Sequence, residues 1–509
     1  MGSWRLARLG ACWTALSSVV LGAPSVARAQ LISVRSAPVS DGGQFAFLPS
    51  ANLGLGGLSI ALADSALDPF TNPAKGARLS GTRLFGAPTF FDVSRKAGGG
   101  FTLPIGTSMS NGAWFTQVAV AIQELNRVGN DNDVIFAPSQ LSATDVSVPV
   151  DDGKLSRQNR YAHALLGRRL TSQTSLAASV SWWALNMIDG VELYYQGSSR
   201  VRQHGDALDL RLGVLRELRG GQSFEATAVH NRFGMNQDVA FTDLFWDPNQ
   251  RQMVPIARVA PNADRADTWG LHLAYTRPLT DSTWRVGAIL TGNRIRQPRL
   301  PAYDLPEVPA DAGRAQAYNV GGGISRSTGP WTMGLDAIYE PIWSRTWVRA
   351  AEPTEARDGT MLDAGTNTLD NRFRFTNGIA RVGLGATMPL SETQSLRFEA
   401  GGQLRAIRYH LEQSDAIQQS RSTSTQSWNE WTRSWGLSVR FASADVHYRG
   451  RLTTGAGRPG FDDTGGIIAV DDRITPGGGG FGGRFSQFGL RFADVRAITH
   501  QISVSVPIR

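Results

Sequence analysis

The feature that most constrains this chain of 509 residues is a rhythm of paired segments in which apolar and polar residues alternate. Such alternation is typical of β-strands with one apolar face. The breaks between segments are by turns very short and very long, and a transmembrane barrel has short turns on one side and long loops on the other. The short breaks are 171–174, 219–222, 277–283, 327–330, 389–394 and 442–445, and the long breaks are about 124–158, 186–205, 233–264, 293–313, 341–371, 411–428 and 453–495. The rhythm predicts an all-β, antiparallel, up-and-down transmembrane barrel.

The strand patterns also indicate which face of each strand meets lipid. In one segment Leu208, Leu210, Leu212 and Val214 alternate with Asp209, Arg211 and Gly213. An arginine that faces lipid at the middle of a bilayer costs roughly 2–4 kcal/mol, so Arg211 is predicted to face inward and the leucines outward. Tryptophans near both ends of the strands, among them Trp182, Trp269 and Trp331, predict aromatic girdles at the two membrane interfaces.

The number of strands follows from counting these segments. Fourteen begin at or after Ala113, and a further hairpin formed by Thr82–Phe91 and Gly99–Ile105 would give sixteen. Both counts are even, so both ends of the barrel are predicted on the short-turn side, which would be the periplasmic side.

The first 29 residues have the three parts of a secretory signal peptide. Arg5 and Arg8 precede an apolar stretch, and Ala27-Arg28-Ala29 is a small-residue cleavage pattern before Gln30. Cleavage there leaves 480 residues (509 − 29) and removes Cys12, the single cysteine of the chain. No later segment offers 18 uncharged apolar residues, so we expect no membrane-spanning helix. These observations predict export to the outer membrane of a Gram-negative-type bacterium.

A different kind of sequence, residues 30–80, separates the signal peptide from the predicted barrel of residues 81–509. An alanine-rich run, 58–66, has helical propensity and ends where Pro69 and Pro73 break a helix. Because its residues are small, this segment is predicted to form a partly helical plug inside the barrel. Its motif residues are Gly56, Gly57, Ala61, Ala63, Asp64, Asn72, Pro73 and Ala74.

On these motif residues the chain resembles the FadL-like and PorV-like outer-membrane barrels, including the OMPP1/TodX-type transporters. The resemblance implies a fourteen-stranded barrel with its lumen occluded by the N-terminal segment. For the transport branch it implies passage of hydrophobic substrates, and for the PorV-like branch it implies a role in handling secreted surface proteins. One departure is the C-terminus, which reads Val506-Pro507-Ile508-Arg509, where such barrels usually end in an aromatic residue.

The sequence offers no catalytic, cofactor or metal site above background, so we expect no enzyme activity and no cofactor. The histidines are spaced singly and form no metal-ligand motif. They are His163, His204, His230, His272, His410, His447 and His500. The run Gly477–Gly483 has no following lysine, so it is interpreted as a loop and not as a phosphate-binding turn.

Charged residues of both signs are predicted to line the lumen from their strand phase. They are Asp209, Arg211, Asp336, Glu340, Arg381, Arg397, Glu399, Arg440, His447, Arg449 and Arg451. One interpretation is a lattice of ion pairs that braces the wall, and the other is a lining that steers a substrate. Arg440, His447, Arg449 and Arg451 form a candidate cationic wall that would face an anionic partner or the plug residues Asp64 and Asp68.

Three functions remain open at this stage. The first is an outer-membrane channel for small hydrophobic or amphipathic compounds, gated by the plug. The second is a barrel that transports nothing and anchors or shuttles secreted surface proteins, and the third is a secreted soluble β protein or hydrolase. The expected partners are outer-membrane lipid and lipopolysaccharide, with a small hydrophobic substrate in the first case; the diffuse positive charge predicts no nucleic acid.

Overall fold

The structure is a computed structural model, which describes residues 31–36, 38, 43–95, 97–126, 158–189, 191, 198–247, 249–298, 312–350, 352–459 and 492–508. The predicted signal peptide and Gly477–Gly483 lie outside the described residues. Much of the predicted long breaks 124–158, 186–205, 293–313 and 453–495 lies outside them as well.

Within the described residues, seventeen strands form one closed sheet in which every neighbouring pair is antiparallel. Strands β1 and β2 share one place, because both pair with β3 and β19 in one continuous register. The ring therefore has sixteen places, which confirms the predicted barrel with the larger of the two strand counts. The strands are β1 (Gly81–Gly86), β2 (Thr89–Val93), β3 (Gly99–Asn111), β4 (Trp114–Leu125), β5 (Gln158–Arg169), β6 (Thr174–Leu185), β7 (Ser198–Leu218), β8 (Gln222–Asp247), β9 (Gln252–Pro278), β10 (Trp284–Gln297), β11 (Ala312–Thr328), β12 (Trp331–Arg349), β15 (Asn367–Pro389), β16 (Ser395–Asp415), β17 (Ser420–Arg440), β18 (Asp445–Pro459) and β19 (Phe492–Ile508), with β13 (Thr354–Glu355) and β14 (Met361–Leu362) forming a separate small hairpin.

The chain enters the barrel at the start of β1 and leaves it at the end of β19, both on the side of the short turns. Gly81, the first residue of β1, pairs with Ser110 next to the β3–β4 turn, and the end of β19 pairs with the start of β1. This arrangement agrees with the predicted even count of strands.

Several predicted long loops are wrong, because their residues continue the sheet. Strands β8 and β9 pair from Ser223–Thr276 out to Asp247–Gln252, so most of the break 233–264 is a projecting hairpin. Strands β16 and β17 pair out to Asp415–Ser420 in the same way. In the β16–β17 hairpin the alternation fades because both faces of β17 become polar, as in the run 420–427, whose residues are all exposed. In β8 the apolar face instead turns inward, where Phe233, Met235 and Val239 are buried.

The outside of the barrel is apolar and the inside is polar, as the strand phase predicts. Leu210 is 40% exposed, whereas Arg211 next to it is 5% exposed. On β12, Trp331 and Trp343 face outward twelve positions apart, which at about 3.3 Å per residue and a tilt of about 40° separates them by about 30 Å. An apolar belt of this height with aromatic residues at both edges suits the hydrocarbon core of a bilayer.

The N-terminal segment contains short helical turns, but they do not lie in the alanine-rich run. Leu53–Leu55 and Pro73–Arg78 form 3₁₀ turns, and Asp68–Thr71 forms a single α-helical turn with Pro69 near its start. The run 58–66 is irregular, so the prediction of a helix there is wrong. An isolated helix this short is marginal, and the amides of Ser59 and Ile60 donate to a wall carboxylate instead. In the described part of the chain no helix is long and apolar enough to cross a membrane.

Candidate functional site

The N-terminal segment lies in the lumen and runs from its long-loop half to its short-turn end. Near its start, Ile32 and Val34 pack among inward side chains of the long-loop half, including Ile342, Phe373 and Tyr409. Near its end, the guanidinium of Arg169, next to the β5–β6 turn, donates to the carbonyl of Ala77. The segment then leaves the lumen and continues into β1.

Asp64 holds the middle of the segment in shape. Its buried carboxylate accepts hydrogen bonds from the Ser50 hydroxyl at 2.5 Å and from the amides of Ala51 and Asn52 at 2.7 and 3.1 Å. It also accepts from the amides of Ala66 and Leu67 at 3.1 and 3.0 Å. One carboxylate thus ties residues 50–52 to residues 66–67.

The Asn-Pro-Ala motif fixes the segment near the short-turn end. The Asn72 side-chain oxygen accepts from the Ala74 amide at 3.1 Å, and its nitrogen donates to the carbonyl of Val214 on β7 at 3.3 Å. Ala74 is fully buried against Phe115 and Leu165 of the wall. The motif therefore caps a helical turn and docks it on the barrel at the same time.

On one side of the lumen the segment lies directly on glycines of the wall. We call Gly323, Gly334, Gly383 and Gly401, on β11, β12, β15 and β16, the glycine wall; Gly383 pairs with both Gly334 and Gly401. A Cβ added at Gly334 would lie 2.8 Å from Leu58 Cδ1, and one at Gly401 would collide with the amide nitrogen of Gly56. The backbone of residues 55–60 can approach this closely only because these wall positions have no side chain.

Hydrogen bonds reinforce the contact with the glycine wall. The Asp336 carboxylate accepts from the amides of Ser59 and Ile60 at 2.8 and 3.3 Å, and Arg381 donates to the Ser59 hydroxyl at 3.0 Å. The Ser434 hydroxyl accepts from the Gly56 amide at 2.9 Å and donates to the Gly54 carbonyl at 3.0 Å. These polar groups bond one another directly, so they need no bridging water.

On the other side of the lumen a cavity of about 820 Å³ lies between the segment and strands β8, β9 and β10. The segment still touches β10 at Gly287, against the Ile60 carbonyl, and β8 at Glu225, which pairs with Lys75. We call its inward residues on these strands the cavity wall: Ser223, Glu225, His272, Ala274, Thr276 and Ile289. The segment contributes apolar side chains opposite them, among them Leu58, Leu62 and Leu67. At one end the lining reaches Gly221 and Thr283 in the short turns. A cavity of this size can hold a drug-sized molecule.

A second cavity of about 80 Å³ lies towards the long-loop half. Its lining includes Glu340, Glu430 and Ala456, together with Leu31 and Ile32 of the segment. Four residues line both cavities: Arg381, Gln403, Thr432 and Arg451. Both cavities therefore border on these residues.

Most of the predicted lumen charges lie inside the barrel, next to charges of opposite sign. Arg211 pairs with Asp209 at 2.5 Å, and Glu399 lies 3.0 Å from Arg397 and accepts from Arg449 at 3.2 Å. Glu340 pairs with Arg405 at 3.0 Å, and Asp336 lies 3.9 Å from Arg381. His447 is half-buried and lies 3.3 Å from Arg449, and Arg451 is buried beside Thr499.

The predicted cationic wall does not form as a unit. The side chain of Arg440 is 71% exposed at the short-turn rim, where it pairs with Asp445, so it does not line the lumen. Arg449 pairs with Glu399. In the described structure, neither Arg440 nor Arg449 forms a hydrogen bond with Asp64 or Asp68. The reason is that Asp64 is fully engaged by the segment itself.

Asp68, Lys75 and Glu225 form a buried triad that is not predicted from the sequence. The Lys75 ammonium lies 3.2 Å from the Asp68 carboxylate and 3.1 Å from that of Glu225. Burial raises the pKa of Asp68 to about 6, and the neighbouring Glu225 adds to the rise while Lys75 opposes it. The inward phase of Glu225 on β8 was the available signal, but nothing in the sequence pairs it with Lys75.

The motif residues and histidines suggest no chemistry in the described structure. Gly56 and Gly57 adopt positive φ, the Ala61 carbonyl accepts from Ser325, and Ala63 faces the large cavity. His163 bonds Ser181, and His272 bonds Thr291. Among the described residues no group of three His, Cys, Asp or Glu side chains could hold a metal ion.

Comparisons with known proteins complete this description. No family model matches the chain, and no curated protein sequence matches it. Among solved structures, it is similar to a Pseudomonas aeruginosa FadL homologue (11% identity, 91% of this chain and 100% of that chain, TM-score 0.42) and to the Ralstonia pickettii toluene transporter TbuX (9%, 90% and 97%, 0.36). It is also similar to a bacterial polysaccharide outer membrane secretin (8%, 84% and 99%, 0.36). Similarity at this level transfers no site residue and no substrate to this chain.

Proposed function

We propose that this chain is an outer-membrane channel that passes small hydrophobic or amphipathic compounds. The carrying observation is the cavity of about 820 Å³ between the segment and the cavity wall, inside a closed barrel with an apolar exterior. A surface apolar over such a height would aggregate in water, which argues against a soluble secreted protein.

The N-terminal segment acts as the gate of this channel. It lies in the lumen beside the two cavities, and it is bonded to several strands of the wall. A barrel of sixteen strands without it would leave an open aqueous pore, as in porins. The segment therefore restricts passage to compounds that fit the remaining space.

The test removes residues 31–79 and measures outer-membrane permeability in cells. The complete chain is expected to admit a small apolar naphthylamine dye and to exclude a bulky polar glycopeptide antibiotic. The shortened chain is expected to admit both, while heat-modifiable gel mobility shows that the barrel still assembles. If the complete chain leaves dye uptake at the level of cells without it, the channel function is wrong.

A second candidate function is favoured by the projecting hairpins. The β8–β9 hairpin extends well past the residues needed to cross a membrane, which is about 9–11 per strand. In this alternative the hairpins bind secreted surface proteins and the barrel is only their anchor. Shortening the β8–β9 hairpin at residues 238–260 would then abolish recovery of a surface partner and leave dye uptake unchanged.

A further inference from the structure

The two cavities outline a route beside the docked part of the segment. Both border on Arg381, Gln403, Thr432 and Arg451. From there the large cavity follows the cavity wall to the short turns at Gly221 and Thr283. The route thus covers the lumen from its middle to the short-turn end without crossing the glycine wall.

The contacts on the glycine wall leave no comparable space. A Cβ at Gly323 would lie 2.8 Å from Ile60 Cβ, and the carbonyl of Leu55 lies against Gly383. Asp336 and Ser434 bond the segment backbone at both ends of this contact. Moving residues 55–60 would break all of these bonds and expose the buried Asp336 carboxylate without its donors, which is costly.

We infer that solutes pass along the cavity wall while residues 55–61 stay seated on the glycine wall. This inference rests on the proposed channel function and specifies its route. Apolar side chains line the large cavity on both sides, among them Leu62 of the segment and Ala274 and Ile289 of the cavity wall. Its two ends carry charged side chains, Lys75 at one and Arg381 at the other. The route therefore suits a compound with an apolar body and a polar end.

The test uses cysteines, because the single cysteine of the chain, Cys12, belongs to the predicted signal peptide. In the lock variant, Ala61→Cys and Ser325→Cys are joined by a disulfide or a short bifunctional thiol reagent. These two residues are in contact, since the Ser325 hydroxyl donates to the Ala61 carbonyl at 2.9 Å. In the block variant, Ala274→Cys on the cavity wall is modified by a bulky thiol reagent. Its matched control is Leu273→Cys, the neighbouring residue on the lipid face.

The lock is expected to change uptake of the apolar dye less than about twofold, and the block to reduce it at least about tenfold. Modified Leu273→Cys is expected to transport normally. Loss of uptake in the lock variant that reductant restores would overturn the inference, as would normal uptake in the modified block variant. Both of those results leave the channel function standing. Absence of uptake by the unmodified chain would overturn the channel function and the route with it.

Discussion

The glycine wall and the cavity wall face each other across one lumen. The N-terminal segment covers the glycine wall, which has the smaller residues, and leaves a cavity at the other wall. On β11, β12, β15 and β16, inward glycines are covered by the backbone of residues 55–60. On β8, β9 and β10, larger inward side chains such as His272 and Ile289 border a cavity of about 820 Å³. Space in this lumen is therefore set by the path of the segment and not by the volume of the wall residues.

The difference between the walls has a physical cause. A glycine in a strand weakens it, unless another backbone approaches closely at that position. Here the approach lets the amides of Gly56, Ser59 and Ile60 reach the acceptors Ser434 and Asp336. The segment reaches the strands of the cavity wall only at particular points, where the Ile60 carbonyl lies against Gly287 of β10 and Lys75 pairs with Glu225 of β8. His272 is instead bonded along the wall to Thr291.

The largest effect is expected from a side chain placed on the glycine wall. Gly401→Leu puts a side chain where the Gly56 amide lies, so the segment must leave this wall, at a cost of more than about 3 kcal/mol. Hydrogen exchange of residues 55–67 should rise to that of an undocked peptide. Gly402→Leu, one residue along and facing outward, is the control and should leave exchange unchanged. Equal exchange in the two variants would contradict the close fit at Gly401.

A slightly smaller effect is expected at Asp64, which ties residues 50–52 of the segment to residues 66–67. Asp64→Ala leaves the amides of Ala51, Asn52, Ala66 and Leu67 without their acceptor, and we expect a loss of about 3 kcal/mol in segment docking. Limited trypsin digestion at Lys75 and Arg78 measures it. Asp64→Asn keeps one acceptor and should fall between. If Asp64→Ala is digested no faster than the exposed-site variant Ser65→Ala, Asp64 does not organise the segment.

The barrel could be predicted from the sequence because its information is local. The alternation at Leu210 and Arg211 depends only on which face meets lipid, and the structure places both as expected. The extension of β16 and β17 could not be predicted, because strand phase loses its contrast where both faces meet water, as in the run 420–427. The even count followed from the turns, and the sixteen strands include the predicted hairpin of Thr82–Phe91 and Gly99–Ile105.

The two walls could not be predicted, because they depend on contacts between distant residues. Gly383 and Gly401 look like weak strand positions in the sequence, and only their contacts with Leu55 and Gly56 of the distant segment explain them. The helical propensity of residues 58–66 was likewise overridden, since the wall uses their backbone amides. The positions of Lys75 and Glu225 in the sequence give no indication that the two side chains form an ion pair. Strand phase places Arg440 on the inward face of its strand, but it does not show that the residue lies at the exposed rim.

The next effect is a pH dependence of segment docking, caused by Asp68 on the side of the segment that faces the cavity. The pKa of Asp68 is about 6 in the folded chain against 3.8 ordinarily, so its protonated form favours docking. This contribution is fully present below about pH 4 and is lost as pH rises through about 6. It amounts to about 3 kcal/mol, because one pKa unit corresponds to about 1.4 kcal/mol. Docking measured by hydrogen exchange should be weaker at pH 8 than at pH 5.

Asp68→Asn is the matched variant for this pH dependence. It mimics the protonated side chain while Lys75 keeps its partner Glu225 at 3.1 Å. Docking in this variant should not change between pH 5 and pH 8. A pH dependence equal to that of the unchanged chain would assign the effect to another group.

The smallest effect on stability is expected from Ala274→Leu, the same side chain as in Gly401→Leu but on the cavity wall. The added atoms enter the cavity instead of the segment, so segment docking should change by no more than about 0.5 kcal/mol. Dye uptake should nevertheless fall, because the route narrows opposite Leu58 and Leu62. A leucine that disturbs docking on one wall and only transport on the other would separate the support of the segment from the passage. If Ala274→Leu instead releases the segment as Gly401→Leu does, the two walls are equivalent and the space beside β9 is not a passage.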